Sequence, residues 1–260
     1  MAAGEDHNLL VDYEGKLYVW GDNSKGQLGI GTCRQTPGII LLGLTRNDPI
    51  KEVKAKGFNS IAITEKGKAI QWPIVTPEGQ LMPNPSELYL PPKVEIATAA
   101  CGYDFSVLVS RSGHVYSFGL NNLAGQLGHG DTLPRESPTL IESLKADGEK
   151  ISSVSCGYKH VICKTTLGKV YTWGWGSAGQ LGHDSFENEL YPRAILFADH
   201  ESRHKTLQVQ AGYKHSIMVQ DNRKILWFGS NGTIHKQSTP IEVNLYQKVT
   251  MPQQNSYLIS

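Results

Sequence analysis

Two stretches of the chain carry residues at spacings that could do chemistry. In His200-Glu201-Ser202-Arg203-His204, two histidines stand four apart with a glutamate beside the first. On a helix, that spacing presents both imidazoles on one face to bind zinc, with the carboxylate as general base for hydrolysis. In YTWGWGSAGQLGH, Tyr171–His183, the residues Gly174, Gly176 and Gly179 spell G-x-G-x-x-G, the spacing that lets backbone approach a dinucleotide pyrophosphate. Each chemistry requires a particular element around its motif, so the surrounding sequence decides.

The first motif lies in a polar stretch, FADHESRHKT, without the apolar flanks that would bury a helix and without an evident third ligand. Zinc hydrolysis therefore stands last among the functional readings. The second motif runs into Gln180-Leu181-Gly182-His183 and opens no amphipathic helix, as a dinucleotide fingerprint must. No cofactor is called for. Composition narrows the field further. The 260 residues carry 25 basic and 24 acidic side chains, a net charge of +1. Nothing in that balance supplies the clustered cations that bind nucleic acid or a membrane surface. No apolar run reaches membrane-spanning length. MAAGEDHNLL has no signal-peptide pattern, and Cys33, Cys101, Cys156 and Cys163 form no C-x-x-C pair. These features predict a reduced protein of the cytoplasm, with the nucleus as the other compartment, and not a secreted one.

Self-similarity organises the rest. GEDHNLLVDYEGKLYVWG, GFNSIAITEKGKAIQWP, GYDFSVLVSRSGHVYSFG, GYKHVICKTTLGKVYTWG and GYKHSIMVQDNRKILWFG are five copies of one unit. Their leading glycines are Gly4, Gly57, Gly102, Gly157 and Gly212, at intervals of 53, 45, 55 and 55 residues. Each copy holds an apolar run suited to a strand buried on both faces. A turn follows at Gly15, Gly67, Gly113 or Gly168, where a positive φ favours a residue without Cβ. A second strand then closes on an aromatic and glycine, as at Trp20-Gly21, Phe118-Gly119, Trp173-Gly174 and Phe228-Gly229. Short β units at this period predict propeller blades. The expected domain is a single propeller over residues 1–250, with 251–260 a tail or the start of a further blade.

Three copies continue into WGDNSKGQLG, FGLNNLAGQLG and WGWGSAGQLG, placing Gly26, Gly29, Gly125, Gly128, Gly179 and Gly182 in equivalent positions. With the preceding G-x-x-H element, the pattern resembles the regulator of chromosome condensation repeat family over about residues 2–245. The resemblance implies an all-β fold, a propeller of four-stranded antiparallel blades, usually seven. Five copies make a partial or atypical ring. The second copy departs from the family in its Pro-rich stretch, residues 73–92, whose six prolines exclude a central strand. Asn23 and Gly176 share the middle position of the signature, which predicts a left-handed backbone there.

The resemblance also implies function. The leading expectation is a non-enzymatic scaffold that binds a protein partner. The alternative is guanine-nucleotide exchange on a Ran-like small GTPase, in which acidic and polar groups displace Mg²⁺ and phosphate contacts from the partner. In the family, histidines of the G-x-x-H turn lie on the face that meets such a GTPase. His7, His160 and His215, with Lys159 and Lys214, are thus face candidates. The residues themselves suggest a structural role for the histidines, bridging turn backbones between neighbouring blades, because Phe105 and Ser60 take their place in other copies. Long segments on a rigid scaffold favour binding. They nominate residues 73–92 and Asp184–Lys205, the latter with Glu187, Glu189, Asp199 and Glu201. A photoreceptor branch of the family carries G-W-R-H-T turns, and GYKH here argues against photoreception.

Overall fold

A computed structural model describes residues 1–45, 47–76, 78–197, 204–232 and 236–243. Strands β1 (Ala2–Ala3), β2 (His7–Val11), β3 (Leu17–Gly21) and β4 (Ile40–Leu42) form the first blade. The second contains β5 (Ile50–Lys56), β6 (Asn59–Thr64) and β7 (Ala69–Trp72). A hairpin, β8 (Ile74–Val75) and β9 (Leu81–Met82), then precedes its outer strand β10 (Ser86–Glu87). The third comprises β11 (Ile96–Cys101), β12 (Phe105–Ser110), β13 (Val115–Gly119) and β14 (Arg135–Leu140). A one-turn helix, α1 (Glu142–Ala146), leads to β15 (Ile151–Cys156), β16 (His160–Thr165), β17 (Val170–Gly174) and β18 (Glu189–Ala194) of the fourth. The fifth holds β19 (Thr206–Ala211), β20 (His215–Gln220), β21 (Ile225–Ser230) and β22 (Lys236–Glu242). All five sheets are antiparallel, and each repeat copy supplies the second and third strands of its blade.

Apolar burial is divided into four layers between successive blades. Leu9 and Val19 meet Val53 and Trp72 between the first two, and Ile61 and Ile63 meet Leu108 and Phe118 in the next layer. Phe105 and Val107 pack against Val161 and Trp173, and Ile162 and Val170 against Met218 and Phe228. This explains the doubly apolar second strands. Every residue of β6 and β12 is buried, because a sheet lies on each side. The expectation does not hold for β2 and β20, where burial alternates along the strand. Among the described residues, the first and fifth blades each have a neighbour on one side only.

The Pro-rich stretch is not one loop. It makes the β8–β9 hairpin and ends in β10, an edge strand where proline's missing N–H is tolerated. The inner strands β1, β5, β11, β15 and β19 pack in succession around a channel of about 470 Å³. Small residues line it, among them Ala3, Ala55, Ala99, Ala100 and Ala211. One face carries the leading-glycine turns and the loops between third and fourth strands, since His160 pairs with Gly174 and Gly174 with Glu189. The opposite face carries the tight turns at Gly15, Gly67, Gly113 and Gly168, all at positive φ.

In the fifth blade Arg223 occupies that turn position, at φ 67°. A left-handed conformation costs a side-chain-bearing residue about 1–2 kcal/mol, part of which glycine's greater unfolded-state freedom offsets. Arg223→Gly is expected to raise unfolding stability by about 0.5–1 kcal/mol in urea titration; a loss of stability would contradict this reading of the turn.

Candidate functional site

The leading glycines are explained by a ring, not by a turn. A Cβ on Gly4, Gly102, Gly157 or Gly212 would lie 1.9–2.2 Å from the ring of His7, Phe105, His160 or His215, three residues on. Each glycine N–H also donates to the carbonyl of that same residue, at 2.8–2.9 Å. The bracket holds the residue after each glycine at a fixed place near the channel axis. Neighbouring brackets are joined by backbone bonds. The N–H of Glu5 donates to Gly57 O, that of Tyr103 to Tyr158 O, and that of Tyr158 to Tyr213 O.

Those fixed places carry tyrosine in three blades, and Phe58 of the second blade joins their row. Phe58 meets Tyr103 edge-on at 6.0 Å, Tyr103 lies 4.8 Å from Tyr158, and Tyr158 stacks on Tyr213 at 4.4 Å. Trp175, from the loop after β17, meets Tyr158 edge-on at 6.3 Å. Lys159 stands 5.5 Å from the Tyr158 ring centre, and Lys214 stands 5.2 Å from that of Trp175 and 5.7 Å from that of Tyr213. Tyr213 is 54% exposed. Inside the channel the Lys56 ammonium donates to Cys156 O at 2.6 Å, and burial lowers its pKa. Glu5, Asp6, Asp104 and Glu187 are acidic groups of this face. Asp104 accepts a hydrogen bond from Asn121 at 2.6 Å, and burial raises its pKa. Next to the mouth, Phe58, Ile74, Val75, Tyr103 and Leu120 line a groove of about 420 Å³ between the second and third blades.

Of the nominated face residues, Lys159 and Lys214 lie at this mouth, whereas His7 and His160 do not present their rings to solvent. Both are buried and bridge blades, His7 Nε2 lying 2.7 Å from Ser60 Oγ and His160 Nε2 3.1 Å from Ser216 Oγ. In the third blade the equivalent Phe105 instead packs in one apolar layer with Val161, so ring and partner change polarity together. His215 is half-buried, its ring beneath Gly212. Glu187 is exposed on the loop after β17, and Glu189 opens β18, where its carboxylate pairs with Arg193. The segment Asp184–Lys205 is therefore not one binding loop, because β18 carries it from one face to the other. Asp199, His200 and Glu201 lie outside the described residues. His204 Nδ1 contacts Asp221 Oδ1 at 2.9 Å, and no cluster of three metal-ligating side chains occurs among the described residues.

The G-x-G-x-x-G also has a different basis from the one its glycines suggest. Gly176, Asn23 and Asn122 are not at positive φ. Asn23 Nδ2 donates to Thr32 O and Arg34 O, while its Oδ1 accepts from Leu28 N. Asn122 makes the same three bonds, to Asp131 O, Leu133 O and Leu127 N. The middle position is thus a side-chain clamp on the loop. At Gly176 a Cβ would lie 1.8 Å from Glu187 O, and Asn188 Oδ1 accepts from the Gly176 N–H. The aromatic mouth residues Phe58, Tyr103, Tyr158 and Tyr213 were not singled out as site residues, although an aromatic follows the leading glycine in four of the five copies.

The geometry defines a repeat-built β-propeller with an aromatic and basic channel mouth. The regulator of chromosome condensation (RCC1) repeat matches residues 112–163 and 168–219. A second model of the same description matches 1–27, 96–126 and 151–180. The chain belongs to the RCC1 repeat family. It is 30% identical to the ultraviolet-B receptor UVR8 of Arabidopsis thaliana over 242 residues, 90% of this chain and 54% of the receptor. It is 30% identical to mouse (Mus musculus) RCC2 over 258 residues, 87% of this chain and 49% of that protein. The chain thus spans about half the length of these curated relatives. Among solved structures, Prp20p of Saccharomyces cerevisiae superposes with a TM-score of 0.76 at 18% identity, over 94% of this chain and 64% of that one. This likeness shows the fold. No helix among the described residues is long and apolar enough to cross a membrane.

The buried histidines make stability depend on pH. Desolvation lowers His7 and His183 to about 4 and His160 to about 3. In the unfolded chain they titrate near 6.5, so their contribution is complete above that pH. It is lost as pH falls toward the folded values, by about 1.4 kcal/mol per pH unit for each. Urea unfolding between pH 7 and 5 should show this decline. His160→Phe, which copies Phe105, should reduce the slope by one histidine's share; an unchanged slope would show that His160 is not neutral in the fold.

Proposed function

We propose that this chain is a non-enzymatic interaction module that binds a protein partner through the channel-mouth face. The observation that carries the reading is the aromatic row. Tyr103, Tyr158 and Tyr213 are set at the mouth by backbone brackets, Phe58 meets Tyr103 edge-on, and Tyr213 is 54% exposed. Rings fixed by backbone lose little conformational freedom on binding, and aromatic residues are the favoured anchors of protein interfaces. Cys101, Cys156 and Cys163 are buried thiols and Cys33 an exposed one, which fits a reducing compartment, the cytoplasm or nucleus.

The alternative is exchange activity on a Ran-like small GTPase. The solved Prp20p structure is described together with its binding properties to Gsp1p and histones. On this chain the same face exposes Glu5, Asp6 and Glu187 as acidic groups. Release of labelled GDP from a panel of small GTPases separates the readings: acceleration for one member supports exchange, and no acceleration leaves the binding module.

The face itself is tested by placing a photo-crosslinking benzoylphenylalanine at Tyr213 or, on the opposite face, at Leu167, which is 73% exposed. The expected result is a discrete protein adduct from position 213 and none from 167 in cells expressing the chain. Adducts of equal yield from both positions would contradict the assignment.

A further inference from the structure

We infer that the mouth takes an acidic, extended segment of the protein partner, one that also brings an aromatic or proline side chain. This rests on the reading that the mouth is the partner face and specifies its chemistry. Three ammonium groups gather there: Lys56 in the channel, and Lys159 and Lys214 at the rim. None of the three forms an ion pair among the described residues, whose other lysines include six in such pairs. The face is mixed in charge. Asp104 is engaged by Asn121, and its burial disfavours the charged form; Glu5, Asp6 and Glu187 are exposed carboxylates. The cations set against the stacked rings are Lys159 and Lys214, and a carboxylate complements them there.

The rings add a second requirement. Tyr158 and Tyr213 lie 4.4 Å apart with 26° between their planes, so each covers a face of the other. Lys159 stands over Tyr158 and Lys214 over Tyr213, and Tyr103 packs against Tyr158 as well. A stacked row of this kind offers phenolic hydroxyls, which donate to carboxylates, and ring edges, which suit the faces of a partner's aromatic or proline ring. A single-stranded nucleic acid meets the cations but requires open ring faces on which successive bases stack. The chain's net charge of +1, with Glu5, Asp6 and Glu187 exposed on this face, also opposes a continuous phosphate backbone.

The test is fluorescence anisotropy with the full chain and four labelled probes. These are a peptide of repeated glutamate, proline and phenylalanine, its glutamine and lysine counterparts, and a short oligothymidylate. The acidic peptide is expected to bind tightest. Its affinity should fall about fivefold to tenfold in Lys159→Gln/Lys214→Gln, and fall further when salt is raised from about 50 to about 300 mM. Leu167→Ala on the opposite face should leave it unchanged. Equal binding of the glutamine peptide, an unaffected double variant that melts at the same temperature as the parent chain, or tighter binding of oligothymidylate would overturn the inference. Preferential binding of the lysine peptide, lost in Tyr158→Ala/Tyr213→Ala, would overturn the acidic preference while leaving the mouth as the partner face. If no peptide binds, the acidic segment is excluded and the crosslink at position 213 decides the broader reading separately.

Discussion

At three of the four blade junctions, an aromatic side chain of the following blade enters space that a glycine leaves free. Trp72 of the second blade and Trp173 of the fourth are fully buried, and their indole N–H groups donate to Gln27 O and Gln126 O of the preceding blade at 3.0 Å. A Cβ on Gly29 or Gly128 would come within 2.8 Å of those indoles. The final glycine and the glutamine of G-Q-L-G therefore act on the neighbouring blade, one as a cleft and the other as an acceptor. Where no such acceptor is open to an indole, the ring is phenylalanine. The third blade follows the copy that lost G-Q-L-G, and it carries Phe118, which has no donor to satisfy. The fifth carries Phe228, and Gln180 O accepts from Ser216 Oγ at 2.9 Å instead. Burying an indole with its one polar atom paired is worth several kcal/mol, as truncations of buried Trp show.

Because the core is divided into layers, this coupling sets the geometry of everything near the axis. A repeat protein is stabilised by nearest-neighbour interfaces, so an error in one interface tilts the blades on either side of it. The brackets around Gly4, Gly102, Gly157 and Gly212 then place one side chain per blade at the channel mouth. The row of rings is thus a consequence of blade spacing. No loop has to fold to form it.

Much of this was legible in the sequence, and the failures have physical causes. Strand–turn–strand units and the family followed from the copies themselves, because alternation and turn glycines report local structure. Phe105 in the same place points to a structural role for the histidines; His7 and His160 do join neighbouring blades, but through serine hydroxyls and not through turn backbones. The open sides of the first and fifth blades were not visible, since an apolar run looks the same with one neighbour or two. The sequence alone does not show the role of Asn23, because asparagine tolerates a left-handed backbone and also clamps loops, and the φ angle separates the two. The mouth was missed because Tyr103, Tyr158 and Tyr213 are about one blade apart in sequence and come together only when blades stack.

The most direct test of the coupling is hydrogen exchange on Trp173→Phe, which keeps an aromatic ring and removes the indole donor. If the bond to Gln126 O joins the third and fourth blades, amides in the loop Asn121–Gly128 should exchange faster, together with those of β16 and β17. Faster exchange confined to the fourth blade would contradict the account.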